Sequence, residues 1–189
     1  MTTTSLLLLF LVPAAVLLVG IALYNRLVAL SRRCDQAGAD VDVQLKLRHD
    51  LVPSLVETVK GYAGHERSTL DAVIRARAAA VEAPTVAARA RAEGMLGAAL
   101  GRLIMVAEAY PDLKASGRFG ALQAELADIE QTIAAARRCL NAATTEYNTT
   151  REQFPGSIVA SLFTFPHRDI AAVRREERAM IEAAPAVRF

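Results

Sequence analysis

The chain has 189 residues, of which 53% are hydrophobic but only 5% are aromatic, and it contains no Trp. Much of the apolar content is Ala, which favours helices, whereas sheets favour β-branched and aromatic residues. The 22 basic and 20 acidic residues give a formal charge of +2, without the concentrated basic face that is typical of nucleic-acid-binding proteins. The composition therefore predicts an all-α protein of about one domain with no nucleic-acid partner.

An uncharged apolar segment, Leu6–Leu23, lies near the N-terminus. At about 1.5 Å per residue it covers roughly 27 Å, close to the thickness of a bilayer's hydrocarbon core. No Lys or Arg precedes it and no A-x-A cleavage site follows, so we interpret residues 1–23 as a retained transmembrane anchor rather than a signal peptide. The basic residues follow this segment (Arg26, Arg32, Arg33, Lys46 and Arg48). The positive-inside rule then predicts an outside N-terminus and a cytoplasmic remainder.

Apolar residues recur at helical spacing from Tyr24 to Lys60, which predicts a long helix with one buried seam. The seam begins with Leu27, Leu30, Cys34, Ala37 and Val41. Its strict continuation falls on Gln44 and Arg48, and the apolar stripe shifts instead to Leu45, Val52, Leu55 and Val59. Pro53 has no backbone N–H and should bend this helix. A second helical stretch, 66–109, is interrupted at Ala83-Pro84-Thr85.

The clearest periodicity occupies residues 117–152, where apolar residues step by three and four. They are Phe119, Leu122, Leu126, Ile129, Ile133, Ala136, Leu140, Ala143 and Tyr147. With a mere kink at Pro84, three long helices form an up-and-down bundle; with a hairpin there, four antiparallel helices do. We favour three helices, which place the apolar segment 154–165 far from the membrane. Four would bring it back to the bilayer surface.

The predicted organisation is an anchor (1–23), a helical bundle (24–166) and a helical tail (167–189) that contains a short charged helix from about Arg168 to Ala183. No long linker or internal repeat divides these parts.

No catalytic or metal-binding motif is complete. His65-Glu66 begins like a zinc-protease motif, but Thr69 stands where the second His is required. Gly94, Gly97 and Gly101 lie within a helical pattern, where small residues favour close helix packing over phosphate binding. The two cysteines, Cys34 and Cys139, fall on or beside apolar stripes and are expected to be buried free thiols. These observations predict a protein that is not an enzyme and has no cofactor or metal.

Several polar residues are candidates for interaction or for setting the helix register. Gln44 and Arg48 are one turn apart at seam positions, beside Asp50. They either belong to a solvated face or enter the bundle and pair with Glu66, Glu108 or Glu130 (register pairs are the best attested use of buried charges).

Two further segments are candidates for contact with a partner. Tyr110, Leu113 and Lys114 lie in a helix stop and turn that could also serve as a recognition loop. Phe163 lies in the apolar segment 154–165, which packs on the bundle, meets the membrane surface or fills a partner's groove.

Three groups of residues resemble motifs of the LemA family. The first group contains Tyr24-Asn25, Leu27-Val28, Asp42-Val43-Gln44-Leu45-Lys46, Arg48, Asp50-Leu51-Val52-Pro53, Leu55-Val56-Glu57-Thr58-Val59-Lys60-Gly61-Tyr62-Ala63 and His65-Glu66. The second is Glu108-Ala109-Tyr110-Pro111-Asp112-Leu113-Lys114-Ala115, and the third combines Tyr147-Asn148 with Phe154-Pro155. Departures from the family pattern are Gln131, Leu140-Asn141 and the tail after Pro166.

The resemblance implies a bacterial protein of the inner membrane with one N-terminal span and a helical, bromodomain-like bundle. It implies no defined activity, although some family members are linked to membrane peptidases and one branch to magnetosome membranes. We therefore expect a membrane-anchored helical scaffold or adaptor that binds protein partners or its own copies. The alternatives are a membrane-organising protein that contacts the bilayer through its apolar C-terminal segment, and an accessory subunit of a membrane peptidase.

Overall fold

The computed structural model describes residues 3–169, with side chains from Phe10 onward. The described part contains six helices and no strand: α1 (Thr3–Tyr62), α2 (Arg67–Glu82), α3 (Val86–Glu108), α4 (Pro111–Lys114), α5 (Gly117–Glu152) and α6 (Gly156–Leu162). The all-α prediction is confirmed, with an apolar N-terminal helix followed by an up-and-down bundle. The predicted tail helix lies outside the described residues, apart from Arg168 and Asp169, which are not helical.

Helix α1 is a single helix that contains both the apolar segment and the predicted seam. In the described part of the chain it is the one helix long and apolar enough to cross a membrane, judged by length and composition. Its apolar side chains from Phe10 to Ile21 are largely exposed, with Phe10 at 69% and Leu18 at 66%. Apolar surface of this extent is not stable in water, so it requires lipid or protein around it.

The break at Ala83-Pro84-Thr85 is a helical hairpin. Ala83 and Thr85 have extended backbones, and the Thr85 side chain accepts a hydrogen bond from the N–H of Ala88, at 3.1 Å, as an N-cap. Helices α2 and α3 pack against each other. The three-helix arrangement favoured from the sequence is therefore wrong. A residue before Pro avoids helical angles, and the cap then starts a new helix in the reverse direction.

The helices form two compact units, which we describe separately. The bundle unit, Asp40–Arg137, contains the second part of α1, helices α2 to α4 and the first part of α5. Its core includes the predicted seam residues of α1 and α5 together with one face of α3. These residues include Leu45, Val52, Leu55, Val59, Leu96, Leu100, Leu103, Phe119, Leu126, Ile129 and Ile133.

The anchor unit combines residues 3–39 with Arg138–Asp169. Its core consists of Leu27, Leu30, Cys34, Ala143, Tyr147, Val159 and Ala160. Here α5 lies beside α1, since Glu146 pairs with Arg33, and Phe163, after α6, lies beside Tyr24. Cys34 is buried as predicted, but Cys139 is exposed because it lies outside the seam of α5.

Candidate functional site

A buried arginine holds three helices of the bundle unit together. Arg48, on α1, is only 4% exposed and forms ion pairs with Glu93 of α3 and Glu130 of α5. The distance from Nη1 to Oε1 of Glu130 is 2.7 Å. Glu93 is as deeply buried as Arg48, whereas the Glu130 side chain is 42% exposed. A carboxylate buried beside a guanidinium is stable only while both partners stay in place.

His49, the next residue of α1, contacts the other oxygen of the Glu93 carboxylate. Its Nε2 lies 2.8 Å from Oε1 of Glu93. Burial lowers the pKa of His49, and the neighbouring guanidinium groups of Arg48 and Arg77 lower it further. The imidazole is therefore neutral at pH 7 and donates its Nε2–H to Glu93.

Arg77 of α2 binds the backbone of α1 at the same level. Its Nε donates a hydrogen bond of 2.7 Å to the carbonyl oxygen of His49. In a regular helix that carbonyl accepts from the residue four positions later, which here is Pro53 and has no N–H. Helix α1 nevertheless continues through Pro53. Arg77 thus replaces the hydrogen bond that proline withholds.

A cavity of about 300 Å³ lies beside this group and is lined by Asp42, Leu45, Lys46, His49, Ala80, Val81, Arg89 and Glu93. An ion pair of 2.9 Å between Arg89 and Asp42 lies at its edge. Within the described residues, the Nε of Arg48 is the one buried side-chain polar atom without a partner. The cavity presents the imidazole of His49, the carboxylates of Asp42 and Glu93 and the amine of Lys46. The buried ion pairs beside it can hold the helices in register.

The other polar residues predicted near Arg48 do not join the buried group. Gln44 is half-buried and makes no side-chain hydrogen bond within the described chain. Asp50 is exposed and accepts a hydrogen bond of 2.8 Å from Lys46. This bond lowers the pKa of Asp50 below its ordinary value. Of the three glutamates proposed as partners of Arg48, the structure places Glu130 beside it.

The turn after α3 is only partly accessible. Leu113 is fully buried in the bundle core, so it cannot contact a partner from the surface. Tyr110 is half-buried and its hydroxyl lies 3.5 Å from Glu66, whereas Lys114 is exposed. Pro111 starts α4, because proline is favoured in the first turn of a helix. Leu113 on this short helix is buried.

The apolar segment Phe154–Phe165, which we call the foot, lies against the C-terminal part of the anchor, near Tyr24. The ring of Phe163 meets Tyr24 edge-on with centroids 4.9 Å apart, and Phe165 lies 5.7 Å from the same ring. Buried Val159 and Ala160 attach α6 to the anchor unit. The outer face is apolar but exposed: Phe154 81%, Leu162 71%, Phe163 59% and Ile158 50%.

The segment after the foot is attached to α5 through its backbone. The Asn148 side chain donates to the carbonyl of Arg168 at 2.7 Å and accepts from the Arg168 N–H at 3.1 Å. The Tyr147 hydroxyl donates to the carbonyl of Pro166 at 2.9 Å, and Arg151 donates to that of Phe165 at 2.7 Å. Tyr147-Asn148, which resembled a family motif, therefore fastens the chain beyond α6; we call this set of bonds the latch.

Arg168 also extends the latch to α1. Its guanidinium pairs with Asp35 at 2.8 Å and donates to the Ser31 hydroxyl at 3.0 Å. It lies over the ring of Tyr147, 5.5 Å from the centroid. The hydrogen bond and charge of Asp35 raise the pKa of Arg168 although burial opposes them, so this cation is permanent.

The sequence did not predict the contacts that Glu93, Asn148 and Arg168 make. Glu93 carried a usable signal, because it lies three residues before Leu96 and seven before Leu100, inside the apolar stripe of α3. The partners of Asn148 are backbone atoms, so they leave no side-chain pattern to find. Among the residues that the structure describes, no group of three His, Cys, Asp or Glu side chains is arranged to hold a metal.

Comparison with known proteins adds a family and distant relatives. The model of the LemA family matches residues 37–189. The chain is 26% identical over 168 residues to the magnetosome protein MamQ 2 of Paramagnetospirillum magneticum, an alignment covering 75% of this chain and 62% of the relative. It is 32% identical over 74 residues to the magnetosome protein MamQ of Magnetospirillum gryphiswaldense, covering 39% and 27% of the two chains. The chain thus spans less than two thirds of these relatives.

The family match covers most of the chain, including the second and third motifs and the buried residues that they contribute, Leu113 and Tyr147. It extends over both the bundle unit and the latch. This protein, whose described residues form helices without a strand and include one helix long and apolar enough to cross a membrane, belongs to the LemA family.

Proposed function

We propose that this protein is a membrane-anchored helical scaffold that organises the bilayer around it through two apolar elements, the anchor and the foot. The anchor crosses the inner membrane of a bacterial cell once, with the N-terminus outside and the bundle in the cytoplasm. The foot enters the cytoplasmic leaflet beside it. The protein performs this role without catalysis.

The observation that carries the proposal is the contact between Phe163 and Tyr24. Tyr24 directly follows the apolar segment, and Tyr is enriched at the boundary between lipid and water. Phe163 therefore lies at that boundary. The exposed apolar face of α6 is expensive in water but favourable in a headgroup region, where amphipathic helices bury their apolar side.

The exposed polar residues next to the anchor and the foot also support a position at the boundary between lipid and water. Arg26 on α1 and Glu152 on α5 are exposed, and both lie within two or three residues of the apolar segments. His167 is exposed after the foot. The backbone of α6 is also suited to an apolar environment, because the N–H groups of Phe163 and Phe165 bond to the carbonyls of Val159 and Ala160.

Single-tryptophan fluorescence tests the insertion of the foot, because the chain has no natural Trp. Phe163→Trp in the full-length protein, reconstituted in vesicles with brominated acyl chains, should be strongly quenched. The matched control is Cys139→Trp, exposed on α5 of the same unit and about 20 Å along the helix from its end. We expect little quenching there. Equal, weak quenching at both positions would exclude membrane contact by the foot.

The binding of a protein partner or of a second copy stays a prediction. The relatives are named as magnetosome proteins, and these names identify no partner. Photo-cross-linking from Lys114, which is exposed in the second motif, tests an adaptor role. Repeated capture of one membrane protein at Lys114, together with unquenched Phe163→Trp, would favour the adaptor over the membrane organiser.

A further inference from the structure

The geometry points to a binding site for one phospholipid acyl chain in the cleft between the anchor and the foot, a proposal that rests on the membrane role proposed above. The cleft has a volume of about 730 Å³, in the range of pockets that enclose small ligands. Its walls are Ala15–Tyr24 of α1 on one side and Phe154–Phe163 on the other.

The apolar lining of the cleft favours a hydrocarbon ligand. Apart from the hydroxyl group of Tyr24, the lining side chains carry no polar atom: Ala15, Val16, Leu17, Val19, Gly20, Ile21, Leu23, Phe154, Pro155, Ile158, Val159, Leu162 and Phe163. A peptide or a sugar would leave its polar groups without hydrogen bonds there, at a cost of several kcal/mol for each group. An acyl chain has no polar groups and therefore loses no hydrogen bonds in such a site.

The position of the cleft along α1 brings it into contact with lipid acyl chains. Every α1 residue in the lining except Tyr24 belongs to the apolar segment Leu6–Leu23, so lipid surrounds the cleft wherever the anchor crosses a bilayer. The stretch from Ala15 to Tyr24 extends for about 13 Å along the helix axis, about the length of one bilayer leaflet. The site therefore runs parallel to the chains of a single leaflet.

Gly20 forms an open part of the wall. A Cβ atom built at Gly20 would meet nothing within 4 Å, so the space above it is empty of protein. An acyl chain can approach the backbone of α1 at this point, which a larger residue would prevent. At the end of the cleft farthest from Ala15, Tyr24 is partly exposed.

The site also explains the shape of the foot. Helix α6 is buried against the anchor unit only through Gly156, Val159 and Ala160, while Ile158 and Leu162 face the cleft. A retained acyl chain would cover these two side chains and Leu17 together. The lipid would thereby occupy the space between the anchor and the foot and contact both.

Retention of a photoreactive lipid tests the proposal in the full-length protein. The probe is a phosphatidylglycerol with a diazirine at the end of one acyl chain, placed in vesicles, and irradiation follows exchange into mild detergent so that only retained lipid reacts. We expect cross-links to residues 15–24 and 154–163. Gly20→Leu projects a side chain into the open space beside the α1 backbone and should reduce them roughly tenfold, because it occupies space that the chain needs. Ala22→Leu, absent from the lining, is the matched control and should keep them.

The outcomes separate this site from insertion of the foot. If Phe163→Trp is quenched by brominated lipid but no lipid survives the detergent, or if both leucine variants retain it equally, the foot inserts and the acyl-chain site is overturned. If Phe163→Trp is not quenched either, the membrane role itself fails.

Discussion

Arg77 donates a hydrogen bond of 2.7 Å from its Nε to the backbone carbonyl oxygen of His49. This carbonyl is the one that Pro53 leaves without a helical partner, since proline has no N–H. The bond joins α2 to α1 within the bundle unit. A local defect in one helix is thus used to attach its neighbour, and Pro53 and Arg77 are energetically linked.

A double-mutant cycle should detect that link. Arg77→Met keeps the aliphatic side chain but leaves the His49 carbonyl unpaired, and should lower the free energy of unfolding by about 1–3 kcal/mol. In the Pro53→Ala background the backbone regains the missing N–H, so the same substitution at Arg77 should cost clearly less. Chemical denaturation of the four proteins measures the coupling. Strictly additive effects would show that Arg77 acts on α1 in another way.

Replacement of Arg48 tests the buried ion pairs. Arg48→Met leaves the Glu93 carboxylate buried without its cation and should destabilise the protein by about 3–5 kcal/mol. If the pairs also fix the register, the variant should lose a unique oligomeric state. Arg48→Met combined with Glu93→Leu removes both charges and should recover most of the stability.

The control for Arg48 is the exposed pair on the same helix. Lys46→Met removes an ion pair with Asp50 in which both side chains are more than half exposed. It should leave the free energy of unfolding almost unchanged, because exposed ion pairs contribute little to stability. An Arg48→Met protein with full stability and one oligomeric state would eliminate the register role.

The stability of the bundle should depend on pH through His49. Its pKa is lowered in the folded protein, so between the folded value and the ordinary 6.5 the unfolded chain binds more protons. The contribution of His49 to the free energy of unfolding is therefore fully present above pH 6.5 and is lost as the pH falls below that value. Denaturation midpoints measured from pH 8 to 5.5, above the range where most carboxylates titrate, should fall in the wild type. His49→Gln should flatten this dependence; an unchanged slope would assign it to other groups.

The apolar seams could be predicted because burial repeats with the helical period. Leu27, Leu45, Leu55, Leu126 and Ile133 are buried as the spacing predicts. Chain reversal at Pro84 was not predictable in this way, since a kink and a hairpin have the same local sequence and differ only in which faces meet afterwards.

The site was harder to predict than the fold. Arg48 stood at a seam position, which suggested a buried partner, but nothing local distinguished Glu130 from Glu66 or Glu108. Leu113 was proposed as a contact residue because it follows a helix stop, whereas its side chain turns into the core. Contacts between residues far apart in the chain depend on topology, and the topology was the part left open.

The latch should hold the backbone after the foot in place. Asn148→Leu keeps the approximate volume but removes both hydrogen bonds to Arg168. We expect the Arg168 amide to exchange its hydrogen about tenfold faster or more, since protection is lost with the bond. Asn148→Asp, which keeps an acceptor for the Arg168 N–H, should exchange at an intermediate rate. Exchange measured by NMR or mass spectrometry decides, and an unchanged rate in Asn148→Leu would mean that Arg168 is held by its side chain alone.

Glycine substitutions should distinguish the turn between α5 and α6 from the middle of α3. A Cβ atom at Gly156 would overlap the carbonyl oxygen of Thr150, which is backbone and cannot move aside easily, so Gly156→Ala should destabilise the foot. Gly101→Ala is the matched control, because a Cβ there meets nothing within 4 Å. Within the part of the chain that the structure describes, a Cβ atom at Gly94 or Gly97 likewise meets nothing within 4 Å, so no close helix approach is found at the three glycines where the sequence predicted one.

Gly101→Ala should therefore raise the free energy of unfolding by about 0.5–1 kcal/mol through helix propensity. Gly156→Ala should lower it by about 1–3 kcal/mol, as strained or overpacked sites do. It should also expose the peptide bonds around Phe154 to proteases, because the turn must open to admit the methyl group. Thermal unfolding and limited proteolysis of the two variants measure these effects. If Gly156→Ala resists proteolysis as well as Gly101→Ala does, α6 is not held against α5 by this close approach.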